Sequence, residues 1–287
     1  MKETLTPQTK FTVTPNPTVP PTVSSFAHYG ETLYDVAYCT ADPVQKMDVY
    51  FPDSGGPWRT FVYVHGGSWM RGDISEAAMF ARQMASLGFL VVSLNYRLYP
   101  PGTWPSMIED VKCAIRSLRA HAAKYNLDPN RIAAVGASAG GHLVSLLGTT
   151  DQSAGFDVGE YLDQSSRVQL VISLAGVMDL TLEFPNADIE LMKRIGFGEH
   201  NIVEASPVTY ITPDDPPFLL IHGNHDDVVP YEQSQLMYDR LVQSGVPAQL
   251  VIVKNAGHSF LEPDADAEPS LWEINQIILD FLAKYMP

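Results

Sequence analysis

Along this chain, short unbroken apolar runs alternate with longer stretches in which apolar residues recur every third or fourth position. The runs predict buried strands at Gln45-Phe51, Arg59-His65, Phe89-Asn95, Arg131-Val135, Val168-Leu174, Phe218-His222 and Ala248-Lys254. The periodic stretches predict helices at Ser75-Leu87, Ser106-Tyr125, Tyr231-Ser244 and Leu271-Tyr285. In the second helix Met107, Val111, Ala114, Ile115 and Leu118 form the apolar stripe, and Ser106 with Glu109 has capping-box spacing. Near-continuous apolar strands between helices imply a mostly parallel sheet covered on both faces, hence an α/β fold.

Two segments depart from this alternation. Residues 1–28 carry Pro15, Pro17, Pro20 and Pro21, which oppose regular structure, and are expected to form an extended arm packed along the body or on a partner, with disorder the alternative. The rest, 29–287, reads as one domain with no internal linker. Within it, residues 178–217 interrupt the alternation and carry Phe184, Leu191, Met192, Ile195 and Phe197. This insertion is expected to lie over the strand ends as a short cap or substrate wall.

Composition narrows the function classes. The chain has 287 residues, 45% of them hydrophobic, and a formal charge of −15. That balance disfavours nucleic acid, whose phosphates require Lys and Arg. No apolar run is long enough to span a bilayer, so no membrane partner is expected. The N-terminal residues Met1–Thr22 lack the hydrophobic stretch of a secretory signal, which makes a cytoplasmic location the default expectation. Of the two cysteines, Cys39 and Cys113, the second lies on a helix face and reads as a small buried apolar residue. A disulfide between them is left open, and nothing in their spacing calls for one.

The candidate chemistry centres on Gly136-Ala137-Ser138-Ala139-Gly140, between an apolar strand and an apolar helix. A serine at a sharp strand-to-helix turn has a strained backbone and an exposed hydroxyl, and its neighbours must be small. The spacing alone is weak, so what lies downstream decides. After Ser138, the run 218–222 leads into His222-Gly223-Asn224-His225-Asp226-Asp227, and the run 248–254 leads into Gly257-His258. Serine, acid and histidine therefore arrive in order, each behind its own strand, as nucleophile, orienting carboxylate and general base. Either Asp226 or Asp227 can supply the acid at this stage.

An oxyanion needs backbone N–H donors. Ala139, after the nucleophile, provides one. Gly66, Gly67 and Ser68, in the loop after the 59–65 strand, are the source of the others, with Gly67 favoured. Trp69, Tyr96 and Trp104 are candidates for the substrate pocket. His142 reads as a packing or hydrogen-bonding histidine. His222 and His225 lack a second ligand cluster, so no metal is expected, and no dinucleotide or phosphate loop calls for a cofactor.

Together, His65-Gly66-Gly67-Ser68-Trp69, Asn95-Tyr96-Arg97-Leu98, Gly136 to His142, His222 to Asp226 and Gly257-His258 resemble the α/β-hydrolase esterases. The likeness is nearest to the hormone-sensitive-lipase-like group and its BD-FAE-type relatives, the acetyl xylan and feruloyl esterases, and it covers about residues 30–285. It implies about eight mostly parallel strands and metal-free hydrolysis of a small ester through an acyl-enzyme, with Ser138, Asp226 and His258 as the triad. The family places its acid four residues after the histidine of the His-Gly pair, which selects Asp226. Two departures stand out: Ser68 replaces the third glycine of the lipase-like oxyanion loop, and the large helical cap is replaced by the 178–217 insertion. Both point to the smaller-capped esterases of short acyl groups. The alternatives are an amidase such as an arylformamidase, a serine peptidase of the same fold, or a non-catalytic ligand-binding homologue. A homodimer is left open.

Overall fold

The computed structural model describes residues 28, 30–182, 184, 188–198, 201–259 and 266–287. Apart from His28, the expected N-terminal arm lies outside the described residues.

Eight strands form one sheet: β1 (Thr32–Ala37), β2 (Lys46–Tyr50), β3 (Trp58–Val64), β4 (Leu90–Leu94), β5 (Leu127–Ala137), β6 (Leu170–Leu174), β7 (Phe218–Gly223) and β8 (Ala248–Val253). Their order is β1-β2-β4-β3-β5-β6-β7-β8. β1 and β2 run antiparallel, and every pairing from β4 through β8 is parallel. The helices are α1 (Ala78–Ser86), α2 (Ser106–Ala120), α3 (Ala122–Tyr125), α4 (Ala139–Thr149), α5 (Ile189–Ile195), α6 (Glu232–Gln243) and α7 (Leu271–Tyr285).

Alternation along each strand sends successive side chains to opposite faces. Val62 and Val64 of β3 and Ile132 and Ala134 of β5 join one core layer with α2, α4 and α6. Phe61, Ala133 and Val135 join the other with α1 and α7. Both faces of the sheet are thus buried, which is why its central strands read as continuous apolar runs.

Several expectations shift. The expected 106–125 helix breaks at His121, which ends α2 and starts α3. The Ser106–Glu109 capping box does not form. Ser106 Oγ donates to the Thr103 carbonyl at 2.6 Å, while Glu109 is drawn to Arg97 at 3.3 Å. A capping box does form at Ser270–Glu273, where α7 begins. β1 escaped the sequence reading because it is a half-exposed edge strand without an apolar run. Cys113 is not a lone buried apolar residue, since it is disulfide-bonded to Cys39 with their Cα atoms 6.5 Å apart. The partners are 74 residues apart in sequence. Only the folding of the segment after β1 onto α2 brings them together.

Candidate active site

Strand register places the site. Val64 pairs with Leu94 on one side and Gly136 on the other, Ala137 pairs with Leu174, and Gly223 pairs with Val253. The carboxyl ends of the parallel strands thus share one edge, where open α/β sheets carry their sites. The loops after β3, β5, β7 and β8 hold the four groups of residues singled out above.

At the end of β5, Ser138 has φ 54° and ψ −118°, a sparsely populated conformation for a residue with a side chain. Close packing accounts for the flanking glycines. A Cβ on Gly136 would collide with the carbonyl of Gly140, and one on Gly140 with the carbonyls of Val64 and His65. The turn is therefore pressed against both its own helix and the end of β3. Ser138 is the N-cap of α4 and Ala139 is its first residue. The Ala139 amide is accordingly among those with no acceptor inside the helix.

The loop after β3 curls beside this turn. A Cβ on Gly66 would lie 2.9 Å from the Ala137 carbonyl and 3.4 Å from Ser138 Cβ. Gly67, Ser68 and Trp69 all have positive φ, 101°, 53° and 59°. The Gly67 carbonyl accepts from the amides of Met70 and Arg71 at 3.0 and 3.1 Å, which closes the loop.

The Asn95-Tyr96-Arg97-Leu98 segment supports this loop from below. Tyr96 is buried, stacks on His65 and donates its hydroxyl to the His65 carbonyl at 3.0 Å. Asn95 Oδ1 accepts from Ile74 N at 2.9 Å. Arg97 is held by the buried Asp110 of α2: Nη2 donates to Oδ1 at 2.7 Å and the Arg97 amide to Oδ2 at 2.8 Å. Gln45 Nε2 donates to the same Oδ1 at 2.6 Å.

Asp226 and His258 meet at the other side of the edge. His258 Nδ1 lies 2.7 Å from Asp226 Oδ2. The carboxylate is an acceptor, so Nδ1 carries the proton and Nε2 keeps its lone pair. Asp226 Oδ1 accepts from the amides of Val228 and Val229, both at 2.9 Å. Burial alone would raise the Asp226 pKa, but hydrogen bonds from His222, His258 and the Val229 amide override it and hold the carboxyl well below its usual range. Asp227, the rival acid, is exposed and faces the cavity instead.

The cavity measures about 420 Å³ and is lined by Ser138, Ser68 and Trp69 with Phe184, Leu191, Met192 and Ile195 of the 178–217 segment. Of the three aromatics expected around the substrate, Trp69 lines it. Tyr96 and Trp104 are not among its described lining residues. Tyr96 lies under the loop, and Trp104 packs on Phe156 and Phe197.

His222 is the residue whose part the sequence did not reveal. It is fully buried, and its Nε2 faces Asp226 Oδ2 at 3.1 Å and the Val229 carbonyl at 2.9 Å, while Ser234 Oγ lies 2.8 Å from Nδ1. Two acceptors at Nε2 fix the proton there. A histidine four residues before the acid was the available signal. Among the described residues no group of three His, Cys, Asp or Glu side chains is arranged to hold a metal, and no helix is long and apolar enough to cross a membrane.

Comparison with known proteins gives concordant results. The BD-FAE family model matches residues 47–241, and the dienelactone hydrolase family model matches residues 197–286. The probable carboxylic ester hydrolase LipM of Mycobacterium tuberculosis is 33% identical over 231 residues, 76% of this chain and 52% of that protein. Esterase LipC of the same organism is 32% identical over 76% of this chain and 58% of its own length. The chain thus spans little more than half the length of these curated relatives. Among solved structures, a truncated carbohydrate esterase from gut microbiota superposes with a TM-score of 0.72 at 29% identity, covering 80% of this chain and 90% of that one. A bifunctional GH43-CE protein of Bacteroides eggerthii gives a TM-score of 0.77 at 31% identity, over 89% of this chain and 38% of that one. With a family match across most of its length and the sheet order, elbow and loops described above, the chain belongs to the BD-FAE family of α/β hydrolases.

Proposed function

We propose that this protein is a serine carboxylesterase that removes short acyl groups, acetyl foremost, from decorated carbohydrates. The observation that carries the reading is the 2.7 Å contact between His258 Nδ1 and Asp226 Oδ2 on the strand edge that also presents Ser138. With its proton on Nδ1, His258 has Nε2 available to take the Ser138 proton. Ser138 Oγ then adds to the ester carbonyl, and the oxyanion is received by the Ala139 amide and by amides of the Gly66-Gly67-Ser68 loop. Collapse of this intermediate breaks the C–O bond, and His258 returns the proton to the departing alcohol. Water, activated by the same histidine, attacks the acyl-serine and releases the acid. Asp226 stays ionised throughout, which its low pKa favours.

The carbohydrate assignment rests on the likeness to the solved gut-microbiota protein described as a carbohydrate esterase. The apolar cavity wall of Phe184, Leu191, Met192 and Ile195 suits a short acyl chain. The Cys39–Cys113 disulfide supports an oxidising compartment over the cytoplasmic default. The test is hydrolysis of p-nitrophenyl acetate, p-nitrophenyl octanoate and acetylated xylan by the wild type and by Ser138→Ala. Acetate and acetylated xylan should be cleaved by the wild type alone. Turnover surviving in folded Ser138→Ala overturns the serine mechanism, and a preference for octanoate overturns the short-acyl assignment.

A further inference from the structure

His142 takes no part in the chemistry above, yet it is buried in the turn of α4 that follows Ser138 and both of its ring nitrogens are engaged. Nε2 lies 2.7 Å from the carbonyl oxygen of Ala205, which can only accept, so Nε2 carries the proton. Nδ1 lies 3.2 Å from the indole nitrogen of Trp69, which can only donate, so Nδ1 presents a lone pair. A single neutral tautomer satisfies both partners. The Trp69 ring stands perpendicular to the imidazole at 5.4 Å and meets Phe197 at 4.8 Å.

These contacts join three separate pieces of chain: the loop after β3, the nucleophile helix and the 178–217 segment. Trp69 ends the loop and is the second of two consecutive side-chain-bearing residues with positive φ. Such backbone costs roughly 1–3 kcal/mol per residue and persists only where the surroundings hold it. Trp69 is held at its carbonyl by the Tyr99 amide at 2.9 Å and at its indole by His142. The amides of Gly67 and Ser68 lie immediately before it.

We propose that His142 is a positioning residue for the ester-cleaving site: it fixes the Trp69 indole, and through it the Gly67 and Ser68 amides, relative to Ser138, while its second nitrogen ties the same helix turn to the cap at Ala205. The inference rests on the esterase reading. It assigns the hydrogen bond to Trp69, rather than the bulk of the ring, as the part that serves the reaction.

Two substitutions separate the two nitrogens. Asparagine places its carbonyl oxygen where Nδ1 stands and so keeps the acceptor for Trp69. Glutamine places its amide nitrogen where Nε2 stands and so keeps the bond to Ala205. With p-nitrophenyl acetate, His142→Gln and Trp69→Phe are each expected to lower kcat by about tenfold to a hundredfold, with little change in KM. The double variant should be no worse than the poorer single one, because both remove the same bond. His142→Asn should stay within about threefold of the wild-type kcat, whereas a purely space-filling histidine would make this smaller residue the worse replacement. Equal impairment of Asn and Gln at position 142, or wild-type kcat in Trp69→Phe, overturns the proposal. Should a position 142 variant fail to fold, Trp69→Phe decides alone. Ser138→Ala, run alongside, keeps the outcomes apart. Activity that survives there overturns the esterase reading, whereas activity lost there but unchanged in Trp69→Phe overturns only the role of His142.

Discussion

His222 Nε2 stands 3.1 Å from the same Asp226 oxygen that receives His258 at 2.7 Å. One buried carboxylate oxygen thus serves a histidine that faces the site and another that anchors it from inside the fold. Asp226 is clamped on its second oxygen by the amides of Val228 and Val229, which leaves it little freedom to rotate.

From this clamp follows a contrast between neighbouring acids. Asp226→Asn is expected to lower kcat for p-nitrophenyl acetate by about 10⁴-fold, as loss of the orienting carboxylate does in serine hydrolases. Asp227→Asn, at an exposed position facing the cavity, should cost less than about tenfold by comparison with that loss. Equal losses in the two variants would remove the assignment of Asp226. His222→Leu leaves the Val229 carbonyl and Ser234 hydroxyl without their partner, at about 1–3 kcal/mol of stability. A urea unfolding midpoint unchanged by His222→Leu would contradict the anchoring role.

Stability should fall as pH drops below neutral. Burial lowers the His142 pKa to about 4, with only the Ala205 hydrogen bond opposing it. The unfolded chain, with a histidine pKa near ~6.5, therefore binds a proton that the folded chain does not. The neutral His142 contributes fully above about pH 6.5, and that contribution is lost as pH falls from there towards 4, up to about 3 kcal/mol. Buried His65, also lowered by burial, acts with the same sign. Asp226, whose folded pKa is depressed, extends the loss below about pH 4, where the unfolded carboxylate takes up its proton. Urea midpoints measured from pH 7 to 4 should slope more steeply in the wild type than in His142→Asn. Identical slopes would refute the assignment of this proton to His142.

The Cys39–Cys113 bridge closes a loop of 74 residues in sequence separation. Chain-entropy arguments give about 4 kcal/mol for a loop of that size. Reduction by dithiothreitol, or the Cys39→Ser/Cys113→Ser pair, should lower the unfolding midpoint accordingly while esterase kcat stays within about twofold, since additivity of distant effects leaves the site untouched. A melting temperature indifferent to reductant would count against the bridge.

Asp110 concentrates support for the loop after β3. It accepts from Arg97 at its backbone and guanidinium and from Gln45, and its side chain is 1% exposed. Asp110→Ala removes the acceptor of the Arg97 amide and of Gln45 Nε2 and leaves the Arg97 guanidinium to Glu109 and the Ser106 carbonyl, a loss of buried hydrogen bonds that costs about 1–3 kcal/mol. Thermal denaturation of the variant measures it, and a loss below about 1 kcal/mol, the range of an exposed pair, would show that the cluster is not the support described.

Much of this was legible in the linear chain because the signals are local. Apolar runs marked strands β2 to β8, and the order of Ser138, Asp226 and His258 behind three of them followed directly. The segment 178–217 was readable as a wall from its apolar residues, four of which line the cavity. Asp226 and Asp227 were separable only by family spacing, since adjacent residues of one type in one loop look alike until burial distinguishes them. Tertiary structure alone decided the partners of the buried polar groups. The exposed edge strand β1 lacked an apolar run, the cysteines were joined by packing after β1, and Ser106 spent its hydroxyl on Thr103 instead of a cap. His142 and His222 show the same division. Their positions beside the nucleophile and the acid are written in the sequence, but each ring's tautomer is fixed by a carbonyl and a donor brought in from distant or looped-back chain, because a hydrogen bond depends on where atoms meet in space and not on how many residues separate them.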